Sequence, residues 1–429
     1  MKHRTLLSIA FAVSALIVVS SCQKEESDIF EKPSSDRVSD YLASFRDILT
    51  TPEKGWVMYY YPGSDYAASI MTLDFTETEV TVASELDPEV KATSYYKLDA
   101  NDGAAICFDT YNPILHLDAT PSLFYYEARK GDFDFRIISY SEKEIVLQGR
   151  RTDHFCRLVP LEKSSTDFLK AVRKNSDDFG IYYFVGKVGN GDVEGEFDLE
   201  SRTFYLGRVG GPAEERVSTK FLFTEDRIIL YQPVRYNGVS FSEFTYGDGT
   251  SSTEVSSSGV TFHKVIPDGF MTYDSYLGKY NMVLNGRTCP VELKPNKINK
   301  SYFLTGLSSN FDIEVNYSSS NNGIIYIVFQ KIASENGLDI VLCPFDYEEG
   351  YLTWSIGVGV IGEVDNPSLP DFTVKFFDNG LWSGNEATGF ILWTLNSSGK
   401  SAGSPTDKKW RFVDGNYYFT NPVMKKIAE

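Results

Sequence analysis

The sequence predicts an all-β-dominated fold with a few short helices, arranged as two or three antiparallel meander barrels or sandwiches, and three observations point there. The chain of 429 residues carries 30 Phe and 27 Tyr, with 42% hydrophobic residues overall; such large, stiff side chains favour half-buried strands over solvated coil. Apolar and polar residues alternate in short runs punctuated by Gly, Asn, Asp or Pro, at the spacing of about 8 to 12 residues expected of barrels and sandwiches. No strand–helix–strand alternation is present, which argues against a parallel Rossmann or TIM architecture.

The first segment is a targeting signal. Lys2, His3 and Arg4 precede an apolar run from Leu6 to Val19, followed by Ser20, Ser21 and Cys22. A basic end, a short apolar stretch and small residues before a cut form the layout of a secretory signal. The run is shorter than the roughly 20 apolar residues that a bilayer span requires. Cys22, placed directly after two small residues, resembles the lipidated Cys of a bacterial lipobox. That implies removal of residues 1–21 and a diacylglycerol anchor on the Cys22 thiol. Each buried CH₂ contributes about 0.8 kcal/mol, so the mature protein is expected to be tethered to a membrane and not to span it. Residues 22–35 read as a polar tether. Within it, Gln23, Lys24, Glu25 and Glu26 resemble the surface-export signal of Bacteroidetes lipoproteins, which implies an outer-membrane protein facing the cell exterior.

An N-terminal β domain with a leading helix is expected over 36–160. Val38, Tyr41, Leu42, Phe45, Ile48 and Leu49 recur at helical spacing after a cap at Ser35 or Asp36, and Thr51-Pro52 stops the helix. From Gly55 the period drops to two. Strands are predicted at 56–61, 69–75, 78–84, 93–98, 104–108, 133–140, 144–148 and 154–159. A second β-rich region over 161–267, either a separate domain or packed with the first, opens with an amphipathic helix at 166–174. It continues with strands at 182–188, 194–199, 203–207, 219–223, 227–231, 240–246 and 260–263. Residues 247–259 (GDGTSSTEVSSSG) read as a long flexible loop. A C-terminal β domain is expected over 268–429.

Charge narrows the partners. The formal net charge is −18, and cleavage after Ser21 removes Lys2 and Arg4 without removing any acid. A surface this acidic repels phosphate backbones, so nucleic acid is not an expected partner and the membrane is reached through the lipid alone.

A family resemblance is carried by Arg37-Val38 through the helix to Gly55-Trp56, by the run from Cys107 to Asn112 with His116, and by Gly131 to Phe135 ahead of Ile145 to Gly149. The chain resembles a Bacteroidetes lipoprotein family classed as a domain of unknown function, most firmly over 22–160. Members of that family resemble accessory lipoproteins of SusC/SusD-type nutrient importers. The resemblance implies capture or transfer of an imported nutrient and supplies no catalytic residue.

Motifs that could carry chemistry read mostly as structure. Gly357 to Gly362 matches a dinucleotide fingerprint as text, yet Pro367 and Pro370 follow where a helix is needed. Gly399-Lys400-Ser401-Ala402-Gly403 matches a nucleophile elbow with no helix after it. His116, His154 and His263 have no metal spacing, and no cofactor or metal is predicted. Asn190 to Asp198 approximates a calcium loop but lacks the closing Glu, and reads as a hairpin whose acids face water. Asp132 and Asp134, two apart, share a face if both lie on a strand; paired carboxylates of that kind are the basis of an alternative reading as a glycoside hydrolase. His116 reads as a residue that stabilises a turn, and Cys107, Cys156, Cys289 and Cys343 as buried free thiols, with disulfides, which an exported location permits, as the alternative. Paired aromatics such as Tyr59-Tyr60, Tyr95-Tyr96 and Tyr125-Tyr126 must place one ring on each sheet face. Trp382, in a Gly-flanked loop, is the single ligand-binding candidate, whereas Trp354 and Trp393 are expected in the core. The expected function is therefore non-catalytic binding of a glycan or peptide-like ligand by a surface accessory lipoprotein. A structural subunit of an import complex is a further alternative.

Overall fold

The structure, a computed structural model, describes residues 33–428 apart from 64–65, 102, 122–127, 247–252 and 320–321. Cys22, Gln23, Lys24, Glu25, Glu26 and the Tyr125-Tyr126 pair lie outside the described residues. The fold is all-β dominated, with about 50% strand and 9% helix, and no helix among the described residues is long and apolar enough to cross a membrane.

Nine strands form a first sheet in the order Asp87–Tyr95, Glu79–Ser84, Ser69–Phe75, Trp56–Tyr60, Phe155–Pro160, Ile145–Gly149, Asp134–Tyr140, Ala105–Cys107, Lys97–Asp99. Its two outermost strands are consecutive in the chain, separated only by Tyr96, so the sheet curls until its edges approach. Helix α1 (Ser34–Leu49) fills the inner side, where Phe45 and Leu49 share a core with Trp56, Met58 and Tyr60. Trp56 Nε1 donates to the Leu49 carbonyl at 2.8 Å, satisfying one of the acceptors that a helix end leaves unpaired. The expected cap at Ser35 or Asp36 is corrected: the helix starts at Ser34, directly after Pro33, without a side-chain cap, and Asp36 falls in its first turn. The polar strand Asp87–Tyr95 is mostly exposed; its ladder with Glu79–Ser84 supplies what its composition does not signal.

Eight further strands close a barrel in chain order: Tyr183–Val188, Gly191–Asp198, Thr203–Arg208, Val217–Phe223, Arg227–Tyr236, Val239–Tyr246, Glu254–Ser257 and Val260–Val265. Phe184, Phe197, Phe204, Phe244 and Phe262 pack in its core at centroid distances between 5.0 and 5.8 Å. The flexible-loop expectation for 247–259 is corrected at its second half. Glu254–Ser257 is a strand with ladders on both sides, and Val255 is fully buried. Barrel closure outweighs the low β-propensity of a Ser-rich run.

Helix α2 (Ser165–Asp178), capped by Ser164, whose hydroxyl accepts from the Asp167 amide at 3.2 Å, joins sheet to barrel. Phe168, Leu169 and Val172 share one core with the barrel and with Val57, Tyr61, Ile70 and Ala83 of the curled sheet. Alternation along one strand thus sends Trp56, Met58 and Tyr60 to the helix side and Val57 and Tyr59 to the barrel side.

A second barrel consists of Gly278–Leu284, Arg287–Lys297, Ser301–Thr305, Ile313–Ser318, Ile324–Val328, Gly359–Val364, Thr373–Asp378 and Val423–Lys426. Two excursions from it, over 330–352 and 389–420, pair with each other into a six-stranded sheet. Helix α3 (Tyr273–Tyr276) packs into the barrel's core. Its backbone accepts from Tyr302 and Tyr280 at 2.8 and 2.6 Å, and Tyr317 donates to the nearby Met271 carbonyl at 2.9 Å. Each of these buried hydroxyls is therefore satisfied.

Candidate ligand-binding cleft

Where the outer face of the curled sheet meets the first barrel, a cleft of about 880 Å³ opens, within the size range of small-molecule sites. Tyr59, Tyr61 and Phe155 form one wall and Tyr231 belongs to the other. The geometry starts from a break in one barrel strand. Ile229 pairs with Glu243 and Val234 with Phe241, so residues 230–233 stand opposite Ser242 alone. Such a bulge re-aims side chains, and Pro233, lacking an N–H, suits a position outside the ladder. Tyr231 reaches the sheet. Its hydroxyl accepts from the Phe155 amide at 3.0 Å, its ring lies 4.4 Å from that of Tyr61, and His154 meets it edge-on at 5.9 Å. His154 is itself fixed, with Nδ1 donating to the Pro62 carbonyl at 2.6 Å.

Burial raises the phenols of Tyr59, Tyr61 and Tyr231 above their ordinary range, so the aromatic walls stay neutral. Around them most of the charges are paired off. Arg227 grips Asp226 through two bonds of 3.0 and 3.1 Å and also reaches Glu243 at 3.4 Å. Arg157 pairs with Glu144 at 2.8 Å and Lys163 with Glu225 at 2.7 Å. The Arg227 hydrogen bond holds the Asp226 carboxyl below the usual carboxylate range. The cleft thus offers flat apolar surfaces rimmed by hydrogen-bonding groups, with Phe155 still 40% exposed.

The residues singled out from sequence fall elsewhere. Trp382 does not line the cleft. Gly380 and Gly384, both at positive φ, turn its loop back, and its ring is half-buried against the C-terminal core while Leu381 stands 65% exposed. The outward-facing ring expected at Trp382 is corrected accordingly, since burying an aromatic face is favourable wherever the loop allows it. Trp354 is corrected in the opposite sense: it lies outside any strand and is 39% exposed. Trp393 is half-buried, with Nε1 donating to Ser401 Oγ at 2.9 Å.

Asp132 precedes the strand and does not share a face with Asp134. It accepts from the Arg151 and Thr152 amides at 2.7 and 3.2 Å and so holds the 149–153 turn. Asp134 instead pairs with Arg150 at 3.3 Å and accepts from Cys107. His116 is buried in the turn it closes with Asn112 and stacks on Phe133 at 4.9 Å. In the 190–198 hairpin the acids are not simply solvated: Glu194 pairs with Arg216 at 3.1 Å, and Glu196 is half-buried. No group of three metal-ligating side chains comes together among the described residues. The four cysteines Cys107, Cys156, Cys289 and Cys343 are free and buried. Sequence reasoning placed one ring of Tyr59-Tyr60 on each face but missed Tyr231. The available signal was Pro233 inside a run that otherwise reads as a continuous strand.

Residues 26–248 match the family described as a domain of unknown function (DUF4302), over more than half of the chain. The chain belongs to the DUF4302 family. All the cleft residues named above lie within that match. A second match, also described as a domain of unknown function (DUF4987), covers residues 253–393. No curated protein matches the chain. Among solved structures, the DNA polymerase sliding clamp from Pseudomonas aeruginosa is 10% identical over 68% of this chain and 88% of its own, with a TM-score of 0.10. The Caulobacter crescentus pol III beta is 11% identical over the same shares, also with a TM-score of 0.10. Likeness at that level carries no argument about fold or activity.

Proposed function

We propose that this protein is a lipid-anchored accessory protein of the outer-membrane surface that binds a glycan or peptide-like ligand in the sheet–barrel cleft without cleaving it, in the service of a SusC/SusD-type nutrient importer. The cleft carries the binding part of this reading. Its neutral aromatic walls suit the apolar C–H faces of sugar rings or the side chains of an extended peptide, and its rim suits their polar edges. Acid catalysis calls for a carboxyl kept protonated beside an ionised one. Three of the cleft's four acids, Glu225, Asp226 and Glu243, are ion-paired instead, which supports binding over hydrolysis. The lipobox at Cys22, the export signal at Gln23, Lys24, Glu25 and Glu26 and the family resemblance support the location and the importer context.

Two measurements test the proposal. Cys22→Ala releases the protein from the membrane fraction in folded form; retention of the variant after a high-salt wash overturns the anchor. A panel of oligosaccharides and peptides, titrated calorimetrically into the mature chain, yields a ligand whose affinity falls in Phe155→Ala by about 1 to 3 kcal/mol, by analogy with base-on-aromatic stacking. The melting temperature changes little, since Phe155 is part-exposed. Equal binding by wild type and variant, or no ligand in either class, overturns the cleft.

A further inference from the structure

The six-stranded sheet of the C-terminal unit gives one face to the second barrel and roofs the other with its own side chains. Alternation along Leu338–Asp346 and Gly389–Asn396 sends Ile340, Leu342, Phe390 and Leu392 into the barrel core. On the opposite face Val341, Cys343, Ile391 and Leu395 form a separate buried cluster. Among the described residues, every apolar side chain packed against that cluster belongs to the two excursions or, for Phe329, stands just before the first of them. The roof is aromatic. Phe345 lies two residues beyond Cys343 and Trp393 two beyond Ile391, and Tyr418 stands opposite Ile391 in the ladder.

Tyr347 extends this roof into solvent. Its ring lies 5.7 Å from that of Tyr418 and only 25° from parallel, and Phe345 meets the two edge-on at 6.1 and 5.9 Å. The Tyr347 side chain is 53% exposed, yet its backbone is fixed. Its amide donates to Thr388 Oγ1 at 3.0 Å, and the Glu348 and Glu349 amides hold the turn that follows by donating to Asp346 Oδ1, both at 3.1 Å. A flat ring presented from a fixed backbone lowers the ordering cost of binding. Ser401, which accepts from Trp393 Nε1 at 2.9 Å, and the Lys331–Asp339 pair at 2.6 Å form a polar border. With about 150 to 250 Å² per aromatic side chain, one ring half open and three half-buried expose on the order of 300 Å², well short of the roughly 800 Å² per partner of a stable protein interface. Phe345, Tyr347, Trp393 and Tyr418 carry no charge on a chain of net charge −18, so the surface suits a small, neutral ligand with a flat apolar face.

We propose that this roof is a second ligand platform, on which the C–H face of a neutral sugar ring stacks against Tyr347 and Tyr418. The sugar's apolar face covers aromatic surface that the fold leaves in water, and its hydroxyls meet the polar border. The platform shares no residue with the aromatic cleft, so each stands or fails without the other.

The test titrates maltohexaose, cellohexaose, xylohexaose and chitohexaose calorimetrically into the mature chain carrying Phe155→Ala, a change that weakens the cleft and leaves the platform untouched. The expected result is saturable binding of at least one probe. Its affinity falls about tenfold in Tyr347→Ala, by analogy with base-on-aromatic stacking, is largely kept in Tyr347→Phe, and is unchanged in Tyr111→Ala, an exposed tyrosine of the curled sheet. If thermal melting shows Tyr347→Ala to be unfolded, Tyr347→Leu, which keeps apolar bulk without a flat ring, takes its place with the same loss expected. Binding of none of the probes, as a roof built for a protein partner would give, or binding that the Tyr347 change leaves intact, overturns the platform. The cleft is judged separately, by comparing Phe155→Ala with the unaltered chain.

Discussion

Glu196 shows what a single half-buried residue does to the stability of a barrel. It lies between Tyr183 and Tyr205 on neighbouring strands. Burial, with Asp198 nearby as the second cause, pushes its carboxyl up to about 7. An acid raised in the folded state contributes stability that is complete below its unfolded value near 4.5. That contribution is lost as pH rises towards 7, because the unfolded chain releases the proton first. Glu196→Gln is therefore expected to match the wild type at pH 4.5 and to be more stable at pH 8, by about 1 to 2 kcal/mol after allowance for solvent screening. Urea unfolding at the two pH values checks this, and an equal offset at both rules out the titration. The alternating acids of this strand were legible in the sequence. Their half-burial was not, because nothing local specifies what lies over the outside of a barrel.

At the scale of elements, the first barrel depends on small residues beneath large ones. A Cβ added to Gly195 would stand 2.2 Å from Phe184 Cζ and 2.3 Å from the Tyr205 carbonyl oxygen. The second of these is backbone and cannot swing aside. Gly195→Ala is expected to cost about 1 to 3 kcal/mol, measured as a lower urea midpoint with an unchanged slope; an unaltered midpoint would mean that the barrel widens freely. The same barrel marks the limit of periodicity as a guide. Phe184, Phe197, Phe204 and Phe262 sit in runs whose period of two announces strands, whereas Glu254–Ser257, with one buried Val among polar residues, becomes a strand only because two neighbours need its backbone groups. The cleft depends on a similar local departure, the 230–233 bulge, whose sole sequence mark is Pro233.

For the whole molecule, the seam between sheet and barrel rests on Glu85 and Arg202. Both are nearly inaccessible, at 1% and 6% exposure, and they are joined by two hydrogen bonds; Glu85 also accepts from the Ile70 amide at 2.8 Å and Arg202 donates to the Ala68 carbonyl at 2.9 Å. Removing one partner strands a charge in a buried seam. Arg202→Met is expected to cost about 3 to 5 kcal/mol, and the double change with Glu85→Met to recover most of that loss, because two apolar side chains leave no charge unmatched. Thermal melting of the two variants checks the pair, and a harmless Arg202→Met would show that the seam is held by the apolar core alone.

The all-β class, the two longer helices and most strands follow from the sequence by itself, because period, proline stops and aromatic content act over a few residues. The proposed targeting of residues 1–26 is likewise a local reading, resting on charge, apolar length and the resemblance of Cys22 to Glu26 to a lipobox and an export signal. The tertiary structure alone decided that the curled sheet and first barrel share one core and that Trp382 is turned inward. It also decided that Tyr231, Phe155 and Tyr61, distant in sequence, face one cleft. Each of these depends on contacts between residues tens to hundreds of positions apart. Such contacts are set by how sheets curl, bulge and close, and no window along the chain encodes that geometry.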